Sequence, residues 1–450
     1  MIPRERHTIS IASGLLALPL VLPCLGPASA GADERVRVGE MLVDPVALAA
    51  WLERKSPDVR AAAARLGQSR ADLAQSRLLP NPSLSLGLAD VTVGPTNPLG
   101  LGFAETAIWS ANLSETVELG KRGPRIASAR LRLDSGREVY LDAVAGRIAE
   151  ARQALGRVAY LGSRRAALEE GRVDSRRILE LQETRFEHGD LSGNDLDRLR
   201  TDTELVEAEI AQNGSEYEAA LAACRTVLTA ECDPTGAELA SLDGAAEAPV
   251  ATGAPGEALF ARPDIRALQL LGRSAREDAT LARRRAIPDP SLSVGYTRDR
   301  LVVSGDQPRS LAFGLSLSLP VFDHGQHDAA RADLRVMELE QTAAAALSRA
   351  RSEVTALLER RATLEGTLGK LREGALPRSK RVLDSTVAAF NQGELSMTDL
   401  LLARRTHTDL VLKVMELAYG AFSARNGLRQ ALGLDADLVR QREGDSWARR

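Results

Sequence analysis

The sequence predicts a mainly α-helical protein with a small β part, built from two copies of one unit. Three observations lead to this fold class. Similar segments recur in the same order in both halves of the chain. Long stretches rich in Ala, Arg and Glu have the composition of charged helices, and a few short stretches alternate apolar with small polar residues, which is typical of two-faced strands.

The internal repeat rests on three pairs of segments that lie between 204 and 208 residues apart. The pairs are SPDVRA at 56–61 with RPDIRA at 262–267, LPNPSLSLG at 79–87 with IPDPSLSVG at 287–295, and RFEHGDLSGNDL at 185–196 with AFNQGELSMTDL at 389–400. Their constant order predicts a duplicated unit. The predicted boundaries are a first repeat over 31–235, a linker over 236–256, a second repeat over 257–435 and a C-terminal tail over 436–450.

The N-terminus has the features of an export signal. Two arginines precede a mainly apolar stretch at 9–21, and the small residues of ASAGAD offer a cleavage site after Ala30. That stretch is too short for a membrane-spanning helix. Cys24 also suggests a lipoprotein signal, although a proline stands where such signals have a small residue. We predict a signal peptide over 1–30 and a mature chain outside the cytoplasm.

Composition and motifs argue against catalysis. The net charge of −3 indicates no basic surface for nucleic acid, and aromatic residues make up only 3% of the chain, which is low for a globular enzyme. The sequence has no P-loop, no G-x-S-x-G, no H-E-x-x-H and no C-x-x-C motif. We therefore predict that the protein is not an enzyme and needs no cofactor.

Each repeat is predicted to contain a helix ending at a proline, two strands and two long helices joined by a glycine turn. The predicted long helices cover 124–186, 193–230, 325–390 and 396–434. Apolar positions step by three and four, as in a coiled-coil seam, at Leu141, Val144, Ile148, Ala151, Leu155 and Val158, and again at Leu400, Ala403, His407, Leu410, Val414, Leu417 and Ala421. We interpret His407 as a tolerated interface residue rather than a ligand.

Four strands are predicted, over 83–93, 106–117, 291–303 and 309–322. Their length and their alternation of apolar with Ser, Gly, Asn or Thr resemble membrane strands. A membrane permits no open sheet edge. One solution is a shared barrel, in which three chains give four strands each and the apolar face meets lipid. The alternative is a four-stranded sheet that caps a helical domain.

Together these residues resemble the TolC-like outer-membrane efflux proteins, over essentially the whole mature chain. The resemblance rests on the repeat, the PNPSLSLG and PDPSLSVG strand starts, LSLPVFDHGQ at the last strand exit, and the F-x-x-G helix turns. ELGKRGPRIASA at 118–129 is similar to the first strand-to-helix junction of the CzcC-like heavy-metal branch. The resemblance implies a homotrimer with a 12-stranded barrel in the outer membrane and a helical tunnel across the periplasm.

The resemblance also implies a function and partners. Such a channel is the exit conduit of a tripartite system, working with a periplasmic adaptor (membrane fusion) protein and an inner-membrane resistance-nodulation-division pump, and contacting outer-membrane lipid. The branch similarity favours divalent heavy-metal cations as cargo. Efflux of multiple drugs or other organic compounds stays open. A soluble periplasmic coiled-coil scaffold is the alternative from a different class.

The two helix turns are the predicted functional sites. The glycines suit a left-handed turn, and the serines that follow suit helix N-caps, so these residues also serve simply to reverse the chain. The resemblance adds adaptor docking at Gly189, Ser192, Asp195, Gly393, Ser396 and Asp399. It further places Asp399 at an acidic position that constricts the tunnel entrance. Leu402 stands at the second such position, which weakens an acidic ring.

Two cysteines remain in the predicted mature chain. Cys224 and Cys232 lie eight positions apart near a predicted helix end. In an oxidising compartment they can form a local disulfide, and the alternative is a pair of free thiols. In either state, the two cysteines would have a structural role in a loop and no catalytic role.

Two further groups of polar residues lie at strand-to-helix junctions. In FDHGQHD at 322–328, His324 and His327 are weak metal candidates, but helix capping explains this segment better, and we predict no metal site. Lys121 and Arg122 occupy the matching junction of the first repeat. Their contact with lipid headgroups or with solvent is left open.

Overall fold

Long helices make up most of the molecule. The computed structural model describes residues 35–95, 99–245, 259–300 and 307–447, with side chains as far as residue 442. The predicted signal peptide and Cys24 therefore lie outside the described residues, as does most of the predicted linker.

The first repeat and the start of the linker contain one long helical hairpin with short elements before and after it. Their elements are β1 Arg35–Arg37, α1 Val38–Val43, α2 Pro45–Lys55, α3 Pro57–Ser76, β2 Ser83–Ala89, α4 Phe103–Thr106, β3 Ile108–Thr116, α5 Arg122–Glu187, α6 Gly193–Leu228, β4 Glu231–Asp233 and α7 Ser241–Gly244.

The second repeat has the same order around its sheet and hairpin. Its elements are α8 Pro263–Arg284, β5 Pro290–Arg298, β6 Arg309–Leu317, α9 Gln326–Lys370, a π-helical turn Leu371–Ala375, α10 Leu376–Asn391, α11 Met397–Ala431 and α12 Leu434–Trp447. Among the described residues, no helix combines the length and the apolar character needed to cross a membrane.

The longest helix, α5, supports both repeats. It contains 66 residues and packs against α3, α6, α8 and α11. The apolar positions predicted to form its seam are all buried: Leu141, Val144, Ile148, Ala151, Leu155 and Val158. Around them lies the main hydrophobic core, which also includes Trp51 and Phe422. The Trp51 indole donates a hydrogen bond to the Leu228 carbonyl at 3.0 Å, so α2 is fixed to the end of α6.

The helix predicted over 325–390 is present over 326–391, but its hydrogen-bond pattern changes within it. The helix is interrupted by the π-helical turn Leu371–Ala375. Pro377 follows two residues later and explains the interruption, because proline has no N–H to donate and its ring clashes with the carbonyl four residues earlier. A π-helical turn absorbs such a defect within a helix.

The C-terminal boundary also differs from the prediction. The helix predicted over 396–434 ends at Ala431, and Gly433 breaks it by adopting a φ of +74°. The segment predicted as a tail over 436–450 continues instead into α12, where Ala436 and Val439 are completely buried. This helix packs on α5 and joins the main core.

The four predicted strands form one antiparallel sheet in the order β2-β3-β5-β6. All four are shorter than predicted. β2 stops at Ala89 because Asp90 adopts a left-handed φ of +55°, and β6 stops at Leu317, shortly before Pro320. β5 stops at Arg298, and the last three residues of the strand predicted over 291–303 lie outside the described residues. A separate parallel pair joins β1 to β4.

Candidate functional site: the two hairpin turns

Both long hairpins reverse through the same backbone motif. In the first, Gly189 has a φ of +80°. Its N–H donates to the Phe186 carbonyl at 2.9 Å, and the Asp190 N–H donates to the Arg185 carbonyl at 2.9 Å. These two bonds define a Schellman motif, which satisfies carbonyls that the helix end would leave free.

The second hairpin repeats this geometry at the equivalent residues. Gly393 has a φ of +79°. Its N–H donates to the Phe390 carbonyl at 3.0 Å, and the Glu394 N–H donates to the Ala389 carbonyl at 3.0 Å. The F-x-x-G pattern in the sequence therefore corresponds to a structural motif, with the aromatic residue supplying one accepting carbonyl and glycine adopting the left-handed conformation.

A serine caps the returning helix at each turn. Ser192 Oγ accepts the Asp195 N–H at 3.1 Å and donates to the Asp195 carboxylate at 2.7 Å. In the second turn, Ser396 and Asp399 form a complete capping box: Asp399 Oδ2 accepts both the Ser396 N–H at 3.1 Å and its hydroxyl at 2.6 Å. Both predicted N-caps are thus present, and each aspartate is fixed by its own turn.

Asp399 is exposed, and its hydrogen bonds favour the charged form of its carboxyl group. The Ser396 hydroxyl and backbone N–H both donate to its carboxylate, and these bonds lower the pKa of Asp399 below its ordinary value of 3.8. Three residues further along α11, Leu402 is 66% exposed. Leu402 therefore gives the surface beside Asp399 an apolar character. A carboxylate in its place would make this site more acidic.

The two turns lie close to each other. Leu199 of α6 packs with Met397 and Leu400 of α11 in a small buried cluster. Phe390 of α10 and two apolar residues of α5, Ile178 and Leu179, pack against it. The Arg198 guanidinium donates to the Thr398 hydroxyl at 3.0 Å, which adds a polar link between the two repeats. The sequence-predicted residues of both turns are thus assembled at one end of the helical region.

His407 is half-buried and occupies the seam position predicted for it. Its Nδ1 lies 2.9 Å from the Ser379 hydroxyl, so the ring connects α11 to α10. This contact accounts for the histidine as part of the helix interface.

The opposite end of the helices meets the sheet through polar contacts. Lys121 pairs with Asp289 at 2.6 Å, and the Leu119 N–H donates to the same carboxylate at 2.9 Å. Burial tends to raise the pKa of Asp289. The hydrogen bonds from Lys121 and Leu119 have the larger combined effect, so the pKa of Asp289 is lowered. Arg122 donates to the Arg77 carbonyl at 2.9 Å. Both cations of this junction therefore have protein partners.

Arg125, in the segment ELGKRGPRIASA at 118–129, makes further polar contacts at this junction. The Arg125 guanidinium pairs with both oxygens of Glu118 and also donates to the Ser76 and Leu78 carbonyls at 3.0 and 3.1 Å. The charged residues of this motif thus fix the end of α3 to the start of α5. Sequence inspection recognised the motif but not this role.

The histidines of the other junction are both exposed. Asp328, which lies beside them, pairs with Arg285 and with Arg331. Gly325 has a φ of +80°, and a Cβ there would lie 2.7 Å from the Ala282 carbonyl oxygen, so the close approach of two backbones requires glycine. Within the described part of the chain, His324 and His327 belong to no group of three or more residues arranged to hold a metal ion.

The two cysteines among the described residues are joined. Cys224 in α6 forms a disulfide with Cys232 in β4, across a separation of eight residues. Cys232 lies opposite Val36 of β1 in the parallel pair. The disulfide therefore connects the end of the first hairpin to the strand that holds the N-terminal segment.

Replacing both cysteines with serine is expected to lower the free energy of unfolding by about 2–3 kcal/mol. The reason is the loop-closure entropy that an eight-residue crosslink removes from the unfolded chain. Guanidinium unfolding of the oxidised protein, the reduced protein and the double serine variant measures this. Reduction should destabilise the wild-type protein and leave the variant unchanged, whereas equal effects on both would contradict the prediction.

A buried ion pair, which sequence inspection missed, lies midway along α5. Arg152 and Asp435 are 1% and 0% exposed, and the two guanidinium–carboxylate contacts are both 3.0 Å. Arg152 also donates to Asn426 at 2.9 Å, and Arg429 donates to Asp435 at 3.0 Å. This network connects the first long helix to the C-terminal helices.

The fold and the paired turns define a class of proteins in which a small antiparallel sheet carries two long helical hairpins. The outer membrane efflux protein family matches this chain over residues 51–229 and again over 254–434. The chain belongs to this family, and the two matches agree with the internal repeat. No curated protein sequence matches the chain.

Several solved structures share the fold. A CusC structure superposes with a TM-score of 0.74 at 18% identity, covering 86% of this chain and 91% of that one. The CmeC outer membrane channel of Campylobacter jejuni gives 0.72 at 18% identity, covering 96% and 94%. The outer membrane protein VceC of Vibrio cholerae gives 0.70 at 19% identity, covering 86% and 96%. The predicted fold class is confirmed by these neighbours, whereas the heavy-metal branch stays a prediction.

Proposed function

We propose that three copies of this chain form the outer-membrane exit conduit of a tripartite efflux system. One observation carries the proposal: a sheet with an exposed apolar face is continuous with two long helical hairpins. β2 and β6 are the edges of this four-stranded sheet. Pairing β2 of one copy with β6 of the next satisfies both edges and gives twelve strands from three chains.

The two faces of the sheet support a membrane position. Large apolar side chains on one face are exposed to between 46% and 80%, at Leu84, Leu86, Leu113, Leu292, Val294, Phe313 and Leu315. The other face is small and polar, and a Cβ at Gly87 would lie 2.6 Å from Ser110 Oγ. Apolar residues facing lipid and small polar residues facing water are typical of membrane strands.

The hairpin turns are the proposed docking sites for a periplasmic adaptor, which links the conduit to an inner-membrane resistance-nodulation-division pump. Their support is geometric, because two equivalent turns lie together at the end of the helices furthest from the sheet. The docking residues are Gly189, Ser192, Asp195, Gly393, Ser396 and Asp399. A soluble scaffold would have no use for the exposed apolar sheet, so a membrane conduit accounts for both ends of the molecule.

Divalent heavy-metal cations are the proposed cargo. The support is the similarity of ELGKRGPRIASA to the heavy-metal branch, together with the charged Asp399 near the proposed entrance. The test is deletion of the gene in its host, followed by growth on graded zinc, cobalt, cadmium and copper and on a panel of organic toxicants. Metal sensitivity alone supports this cargo. Sensitivity to organic compounds alone would replace it with multidrug efflux.

Neutralising Asp399 is expected to reduce the preference of the channel for cations severalfold. Threefold symmetry brings three carboxylates together at the proposed entrance, and a ring of carboxylates favours cations. Asp195→Asn is the matched control, since it removes the same charge from the equivalent position of the other turn. Reversal potentials in planar bilayers under a salt gradient measure the preference.

The acidity of Asp399 adds a pH test of the same residue. The Ser396 hydrogen bonds lower the pKa of Asp399, so the wild-type preference should be retained at neutral pH and weaken only at acidic pH, where the carboxylates become protonated. Asp399→Asn should show no such dependence. Equal effects of the two asparagine variants would contradict a special role for Asp399.

A further inference from the structure

Two arginines lie side by side on the apolar face of the sheet. The strand register places Leu88 opposite Trp109, Trp109 opposite Arg298, and Arg298 opposite Arg309. Since side chains alternate along a strand, this row faces the same way as Leu113 and the other exposed apolar residues.

The two arginines place like charges at directly opposed positions of β5 and β6. Side chains directly opposite each other on antiparallel strands are neighbours, and like charges in this position repel. Both arginines are exposed. Within the described residues, neither guanidinium is paired with a carboxylate. An anion between the two side chains would convert this repulsion into attraction.

The position of the pair indicates the source of the anion, and this step rests on the proposed membrane function. The strands connect to helices α3, α5, α8 and α9 at Ser83, Thr116, Pro290 and Leu317. The row of Arg298 and Arg309 therefore lies at the far end of the sheet from all four helices. Trp109 in the same row is 48% exposed and contacts Phe103 edge to face at 6.5 Å. Aromatic residues at this depth mark the membrane–water interface.

We propose that Arg298 and Arg309 bind a phosphate group in the headgroup of an outer-leaflet lipid. Guanidinium groups match phosphate oxygens in a bidentate geometry, which makes a pair of arginines a suitable receptor. Three chains would provide three equivalent sites around the barrel. Each site would fix the outer rim of the sheet to the surface of the membrane.

The test is lipid retention by the purified full-length protein, measured by native mass spectrometry. The probes are lipid A with its phosphates, dephosphorylated lipid A with the same acyl chains, and inorganic phosphate as a competitor. We expect the wild-type protein to retain the phosphorylated lipid, and the Arg298→Gln/Arg309→Gln variant to retain roughly tenfold less. The matched control is Arg349→Gln/Arg351→Gln, which removes two exposed arginines from α9.

Three outcomes would overturn the proposal: equal retention of the two lipids, unchanged retention by the sheet variant, or displacement of the lipid by an equal concentration of inorganic phosphate. Single variants at Arg298 and Arg309 should give intermediate retention. Conductance in planar bilayers separates this site from the proposed function. A protein that retains the phosphorylated lipid but does not conduct would overturn the conduit alone, and a conducting protein without phosphate preference would overturn the lipid site alone.

Discussion

Replacing Asp435 with asparagine is expected to lower the free energy of unfolding by about 3–5 kcal/mol. The substitution leaves the Arg152 guanidinium, which is 1% exposed, without its carboxylate partner. A buried charge without a counter-charge retains its full desolvation penalty, so the effect greatly exceeds the loss of a surface ion pair. The asparagine oxygen replaces only part of the bidentate contact.

The structure predicts an asymmetry between the two partners. Arg152→Met removes a buried cation but leaves Asp435 paired with Arg429, whose guanidinium lies 3.0 Å away. This variant should therefore lose less stability than Asp435→Asn. The double variant should be more stable than the sum of the single effects implies, by more than about 1 kcal/mol, because the two groups contact each other directly.

Guanidinium unfolding of the detergent-solubilised protein, followed by far-ultraviolet circular dichroism, measures these differences. Arg335→Met is the matched control, since it breaks an exposed pair with Glu338 on one helix face, where the expected change is within about 0.5 kcal/mol. Additive single effects at Arg152 and Asp435 would show that the two residues do not stabilise the fold as a pair.

Sequence periodicity predicted the features that depend on local patterns. The seam of α5 is buried at every position predicted, because apolar residues spaced by three and four share one helix face. The alternating segments form the strands, although each strand is shorter than its pattern. The F-x-x-G turns were identified because each contains its glycine, its capping serine and its aspartate within a few residues.

Contacts between distant residues could not be predicted in the same way. Arg152 and Asp435 are 283 positions apart, and nothing in either local pattern identifies the other. The β1–β4 pair joins two strands of three residues each, which are too short to show a period. The π-helical turn is a different case, because Pro377 is visible in the sequence and its effect on a helix is general.

Replacing both turn glycines with valine is expected to reduce export to the level of a deletion strain. Gly189 and Gly393 adopt φ angles near +80°, and an L-residue in this conformation costs about 1–2 kcal/mol, more when it is β-branched. No atom lies within 4 Å of a Cβ built at either position, so the cost arises from the backbone alone. We expect this strain to distort the Schellman motifs, whose hydrogen bonds determine the shape of the proposed docking surface.

Three controls identify the cause of any loss. Gly366→Val places the same side chain at a glycine in α9 where a Cβ also meets nothing within 4 Å and φ is not left-handed, so export should be retained. Asparagine tolerates the left-handed conformation, so Gly189→Asn/Gly393→Asn should export substantially better than the valine variant. The amount of each variant in the outer membrane must match the wild type.

The outcome distinguishes two roles for the turns. If the valine variant reaches the outer membrane and conducts in planar bilayers but does not export in cells, the turns are required for coupling to partners rather than for assembly. If it exports normally, the geometry of the turns serves only to reverse the chain, and the adaptor must bind elsewhere. Because the two turns have equivalent bonds, single variants at Gly189 and Gly393 then show whether the repeats contribute equally.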